Sequence, residues 1–272
     1  MYLPPLQPPP LQPGDTVAVI ATSGIVNQDR LRVGVWRLGA LGLHVRVFPS
    51  CYQKAGPYLA GTDQQRVGDL HRAFADPQVK GIFTARGGYG AAELLPLVDV
   101  PLIRKNPKLF VGFSDVTALH LLMNQQVGLA TLHGPMVVSC LGGETVDKNT
   151  MDSLRQAIFS PATSRKGPKV TGGNLSVITS LMGTPWEIGT HGKILFLEDV
   201  DEAPYKIDRM LLQLKLAGKL DDAAGFHLGD FSPENTDTIR YALERHIFPQ
   251  KKPTVCGLKS GHGRENITLW LG

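Results

Sequence analysis

Apolar residues follow two alternating rhythms along the first half of the chain. Short β-branched and aliphatic runs, TVAVI (16–20), LHVRVF (43–48), GIFTA (81–85) and KLFVGF (108–113), predict strands. Between them lie stretches with helical spacing. Gln28–Leu41 places Leu31, Val35, Leu38 and Leu41 along one side, and Asp63–Phe74 does the same with Val67, Leu70 and Phe74. Strands alternating with helices predict an α/β domain with a parallel sheet covered on both faces, and in such sheets sites form at the C-terminal strand ends.

The rhythm stops at FSPATSRKGPKVTGG (159–173), which is polar, rich in Pro and Gly, and without a period. It predicts a linker, dividing the chain into an N-terminal α/β domain (1–158) and a smaller C-terminal α/β domain (174–272). The second domain is expected to contain a helix in NLSVITSLMG, strands in KILFLEDV, GFHLGDF and TVCGL, and helices over 207–216 and 236–247. In the 207–216 helix Ile207, Met210, Leu211 and Leu214 share a face. The start, MYLPPLQPPPLQPGD, predicts a stiff, disordered proline-rich leader. The strand-like ITLWLG at the end leads us to expect a further C-terminal tail.

Composition narrows the function classes. With 42% hydrophobic and 19% charged residues, the 272-residue chain is ordinary for a folded soluble protein. No run approaches the roughly 18 apolar residues of a membrane span, and no signal peptide is visible, which points to the cytoplasm. The charge of +4 is spread out, with small groups at Arg165-Lys166-Lys169 and Lys251-Lys252 that lack interleaved aromatics. Solvated surface charge explains them better than nucleic-acid binding does. Cys51, Cys140 and Cys256 form no CxxC pair, and no HExxH spacing occurs. No disulfide framework, metal or cofactor is therefore expected.

Four stretches carry candidate chemistry. RGGYG (86–90) follows a predicted strand and opens a helix, as an anion-binding loop or a tight turn would. It lacks the third glycine of a dinucleotide fingerprint and follows the third strand, so NAD or FAD is poorly supported. In GFSD, Ser114 stands where a strand gives way to a helix. A cap residue and a nucleophile are both at home there, although G-x-S-x-G is not met. Most histidines, such as His71 and His120, sit within periodic segments, whereas His262 lies in the glycine-flanked turn SGHGREN. The acids Glu198 and Asp199 follow the apolar run Ile194–Leu197, at a strand end. Asp201 and Glu202 precede a helix expected near Pro204. The order Ser–acid–His is chemically permitted for a triad.

Together these stretches resemble the LD-carboxypeptidase family of serine peptidases, which includes the microcin-immunity peptidases. The resemblance rests on ARGGYGAAELLPLVD, GFSDVTALH, LHGPM, GGNLSVITSLMGTPW, GKILFLEDVDEAPYKIDRMLLQL, GDF and GHGRENITL, in the family's order from about Ile82 to Leu269. It implies Ser114 as nucleophile, His262 as general base and Glu198 as the acid that orients it. It further implies an oxyanion hole from the backbone N–H groups of Asp115 and Gly88, an active site between the two domains, and a homodimer. The implied substrate is the muropeptide tetrapeptide of peptidoglycan recycling, cut at its L,D bond to release D-Ala in the cytoplasm. Arg86 is a candidate partner for the terminal carboxylate, a structural ion pair being its other reading. An alternative within the family is cleavage of an aminoacyl- or peptidyl-nucleotide conjugate, for which Trp186 is a candidate stacking residue, a place in the core being its commoner role. A non-enzymatic sugar- or nucleotide-binding module would account for the glycine loop but not for the Ser, Glu and His together.

Overall fold

A computed structural model describes residues 6–160, 168–232 and 236–272. It contains two α/β domains. The first is built on a six-stranded sheet in the order β10-β5-β4-β3-β1-β2 and the second on a four-stranded sheet, β6-β7-β8-β9. The strands are β1 Thr16–Ile20, β2 His44–Val47, β3 Val79–Thr84, β4 Leu109–Gly112, β5 Thr131–His133, β6 Val170–Asn174, β7 Ile194–Val200, β8 Gly225–Ser232, β9 Thr254–Val255 and β10 Leu269–Leu271. Every strand pair is parallel except β10 with β5.

The central strands read as nearly unbroken apolar runs because both sheet faces are covered. Alternate residues point to opposite faces. Ala18, Ile20, Ile82 and Phe110 thus join a core with helix Asp63–Ala75, while Val17, Val19, Phe83, Leu109 and Val111 join one with helix Gln28–Ala40. The first core continues into the second domain through Leu195 and Leu197 of β7 and Ile207, Leu211 and Leu214 of helix Pro204–Leu216. Among the described residues, no helix is long and apolar enough to cross a membrane.

Three expectations are corrected. The proline-rich start is not a free leader from Leu6 onward: Leu6 bridges to Leu129, and Leu11 is 1% exposed within the core. Leucines placed among the prolines supply apolar area to bury. Within the segment read as linker, Val170–Gly173 belongs to β6, while residues 161–167 lie outside the described residues, as do residues 1–5 of the leader. The final strand, expected in the second domain, is β10, at the edge of the first sheet.

Candidate active site

β4 ends at Gly112, and Ser114 follows after one residue, starting a short helical turn that runs on into helix Thr117–Leu122. Ser114 has a φ of +63°, one of three non-glycine residues in the left-handed region among those described. Such a backbone costs an L-residue about 1–2 kcal/mol. It makes the turn sharp and stands the hydroxyl at the C-terminal end of the sheet, the place a nucleophile occupies on a strained strand-to-helix elbow. The Asp115 N–H lies in the first turn of this helix, where helix geometry supplies no partner.

The hydroxyl meets His262: Ser114 Oγ lies 3.0 Å from Nε2, and the other ring nitrogen, Nδ1, is 2.7 Å from Glu198 Oε2. The three residues predicted for a triad thus form one hydrogen-bonded chain, drawn from the turn after β4, from β7 and from the turn after β9. With Nδ1–H donating to the carboxylate, Nε2 is free to accept the serine proton.

Glu198 is fully buried. Burial lifts its carboxyl above the usual carboxylate range, opposed by the hydrogen bond and charge of His262. For His262, burial pulls the imidazole down, but the hydrogen bond and charge of Glu198, with the charges of Asp199 and Asp230, outweigh it and hold the ring above its ordinary value. Asp199, the competing acid, projects from the other face of β7. It accepts hydrogen bonds from Ser176 N–H and Oγ, Asn174 Nδ2 and Val200 N–H, and so caps helix Leu175–Ser180. Glu202, just before the next helix, pairs with Lys206.

Glycines shape the surroundings. A methyl on Gly87 would stand 3.0 Å from Ser114 Cβ, 3.1 Å from Oγ and 3.4 Å from the Asp115 nitrogen. Only the bare backbone leaves that space open beside both hydroxyl and N–H. Gly261, with φ +129°, would bring a methyl to 2.7 Å from Glu198 Oε2. Gly261→Ala is therefore expected to push the carboxylate away from His262. A shift of about 1 Å there should slow turnover by on the order of 10²-fold, measurable as kcat at unchanged protein fold.

Several residues that hold this arrangement were not anticipated. Arg66 is completely buried and donates to the carbonyls of Gly61, Thr22 and Gly90 and to Asp63 and Glu93, fixing the glycine loop from behind. Asp115 adds a second tie, its Oδ2 accepting from Ala91 N–H at 2.9 Å. Thr150 and Ser153, on helix Lys148–Phe159, accept from the N–H groups of Asn266 and Thr268 and so secure the far side of the His262 turn. The helix itself had a readable signal in Met151, Leu154 and Ile158, but nothing local marks Arg66 as buried.

Two predicted binding residues fare differently. Arg86 sits beside the glycine loop. Its Nε and Nη1 donate to the carbonyls of Gly87 and Ile25, while Nη2 lies on the Gly88 side. Trp186 does not join the site. Its turn is hydrogen-bonded to Gln125 and Gln126, eleven or more residues along the helical segment from Ser114. That spacing is about 16 Å of helix. The indole packs on the core instead, as its apolar bulk favours.

Comparison with known proteins agrees with this architecture. Residues 17–134 match the model of the LD-carboxypeptidase N-terminal domain and residues 167–272 that of the LD-carboxypeptidase C-terminal domain. The chain is 40% identical to a probable murein peptide carboxypeptidase of Bacillus subtilis, over 98% of this chain and 89% of that protein. It superposes with a TM-score of 0.84 on the crystal structure of a muramoyltetrapeptide carboxypeptidase from Oxalobacter formigenes, at 31% identity over 94% of this chain and 92% of that one. It is also similar to an MccF-like protein from Bacillus anthracis, with a TM-score of 0.88 at 28% identity, covering 98% and 94% of the two chains.

Proposed function

Because the chain belongs to the LD-carboxypeptidase family, we propose that it is a serine carboxypeptidase that hydrolyses the L,D peptide bond of muropeptide tetrapeptides and releases terminal D-Ala. The observation that supports this most is the unbroken chain from Ser114 Oγ through His262 to Glu198. Ser114 attacks the carbonyl carbon next to D-Ala as its proton passes to His262 Nε2. The N–H groups of Asp115 and Gly88 receive the developing oxyanion. The carbon–nitrogen bond then breaks, and His262 returns the proton to the leaving amine of D-Ala. Water, deprotonated by His262, hydrolyses the acyl-Ser114 ester and restores the enzyme. Glu198 keeps Nδ1 protonated and stabilises the imidazolium. Arg86 is the cation proposed for the substrate's terminal carboxylate; Trp186 has no part in this reading.

The test is direct. The protein is incubated with a muropeptide tetrapeptide and, in parallel, with an aminoacyl sulfamoyl-adenosine, and products are read by mass spectrometry. Loss of one alanine from the tetrapeptide is expected. Cleavage of the nucleotide conjugate alone would establish the alternative substrate. A homodimer acting in the cytoplasm belongs to the same proposal, and light scattering on the purified protein checks the dimer.

The reaction needs His262 neutral at the moment of attack. Because its surroundings raise the imidazole above 6.5, kcat/KM is expected to fall on the acid side with a midpoint above that value. An acid midpoint below the ordinary histidine value would mean that burial, and not Glu198, dominates the surroundings of His262.

A further inference from the structure

His133 closes β5 in the first sheet and is completely buried. It touches none of Ser114, His262 and Glu198 in a hydrogen bond, yet it touches the support of each. Its ring lies 5.6 Å from that of Phe113, the residue before Ser114, and the Phe113 ring in turn lies 4.8 Å from the His262 ring. It packs edge-to-face on Phe196 at 4.9 Å. Phe196 is two residues before Glu198 on β7 and therefore on the same strand face. His133 Nδ1 is 3.3 Å from Ser260 Oγ, two residues before His262. Its Nε2 has no hydrogen-bond partner among the described residues.

This placement has a cost and a consequence. An unpaired buried ring nitrogen lowers stability, so packing alone would be served as well by phenylalanine. What phenylalanine would lose is the hydrogen bond that ties the His262 turn to the first sheet. Burial and the nearby His120 and His262 hold the His133 imidazole well below its ordinary value, so it places no second positive charge under the catalytic ring.

We propose that His133 is a positioning residue: from the nucleophile's domain it braces, through Ser260, Phe196 and Phe113, the turn and strand that carry His262 and Glu198. The inference rests on the triad reading. The experiment compares parent, His133→Phe, Ser260→Ala and the double variant, with Ser114→Ala as control. Readouts are kcat and KM for D-Ala release, thermal midpoint, and the rate at which a fluorophosphonate labels Ser114.

His133→Phe is expected to melt at or above the parent's temperature while kcat falls by on the order of 10²-fold and labelling slows in step, with KM held within about two-fold. Ser260→Ala should lose kcat in the same way, and the double variant should be no slower than the worse single one, because both remove one interaction. Three results would overturn the inference: parent-level kcat in either variant, a loss confined to KM, or losses that multiply. Should His133→Phe not fold, Ser260→Ala decides alone. If Ser114→Ala is inactive and His133→Phe is fully active, only this inference fails. If Ser114→Ala stays active and unmodified protein resists the phosphonate, the triad reading itself fails.

Discussion

Ser114→Ala is expected to remove D-Ala release almost entirely, lowering kcat by on the order of 10⁴- to 10⁶-fold. Among the described residues, Ser114 supplies the one hydroxyl in hydrogen-bond contact with His262 Nε2, and alanine leaves none there to attack. The fold should survive, since the hydroxyl's hydrogen bond is to the His262 ring and not to the backbone. A companion substitution separates chemistry from backbone strain. Ser114→Gly is equally inactive, but glycine adopts a φ of +63° freely. Calorimetry should therefore show Ser114→Gly melting above Ser114→Ala, by a margin equivalent to about 1 kcal/mol. Equal activity of Ser114→Ala and parent would remove the nucleophile from the proposal. A lower melting point for the glycine variant would mean that the turn is not strained.

Glu198→Gln should cost about as much as losing the acid of other serine triads, roughly 10⁴-fold in kcat. The amide is close in size to the carboxylate and spares the buried site a charge, so stability should hold or rise. Two things are lost. The amide N–H₂ can donate to Nδ1, which places the ring proton on Nε2, where it can no longer accept from Ser114. The charge that holds the imidazole up is also gone. In the parent, the hydrogen bond and charge of Glu198 oppose the downward pull of burial on His262. Without them burial weighs more, so the acid midpoint of the residual kcat/KM should move to lower pH. A pH–rate profile of Glu198→Gln measures both effects. An unchanged midpoint would mean that Glu198 is not what tunes His262.

Much of the first domain was legible because its strands are buried on both faces and its helices carry apolar residues on one. Ser114 and His262 were legible for a different reason: each lies where a local rule is broken, a serine at a strand end and a histidine between glycines. Choosing Glu198 over Asp199 by residue type alone was impossible, since adjacent strand residues differ only in the face they present. β6 was hidden by its glycines. VTGG reads as loop, yet a methyl on Gly172 would come within 1.9 Å of the Phe196 carbonyl oxygen, and one on Gly173 within 2.5 Å of Thr117 Oγ1. Close approach between strand and neighbour, not turning, is what demands glycine there. Arg66 and His133 were hidden because Thr22, Gly90 and Glu93, which surround the one, and Ser260, which meets the other, are far away in sequence; of the two readings of Trp186, the structure bears out the place in the core.

The antiparallel β10 has a mechanical consequence. The chain crosses from the first sheet to the second between Phe159 and Val170, and returns between Val255 and Leu269. The two sheets are therefore linked by the chain twice, with one continuous core packed across them. His262 lies on the returning segment, which is held in the second sheet by β9 at one end and in the first sheet by β10 at the other. Displacing one sheet against the other would therefore pull on the segment that carries His262 from both of its ends.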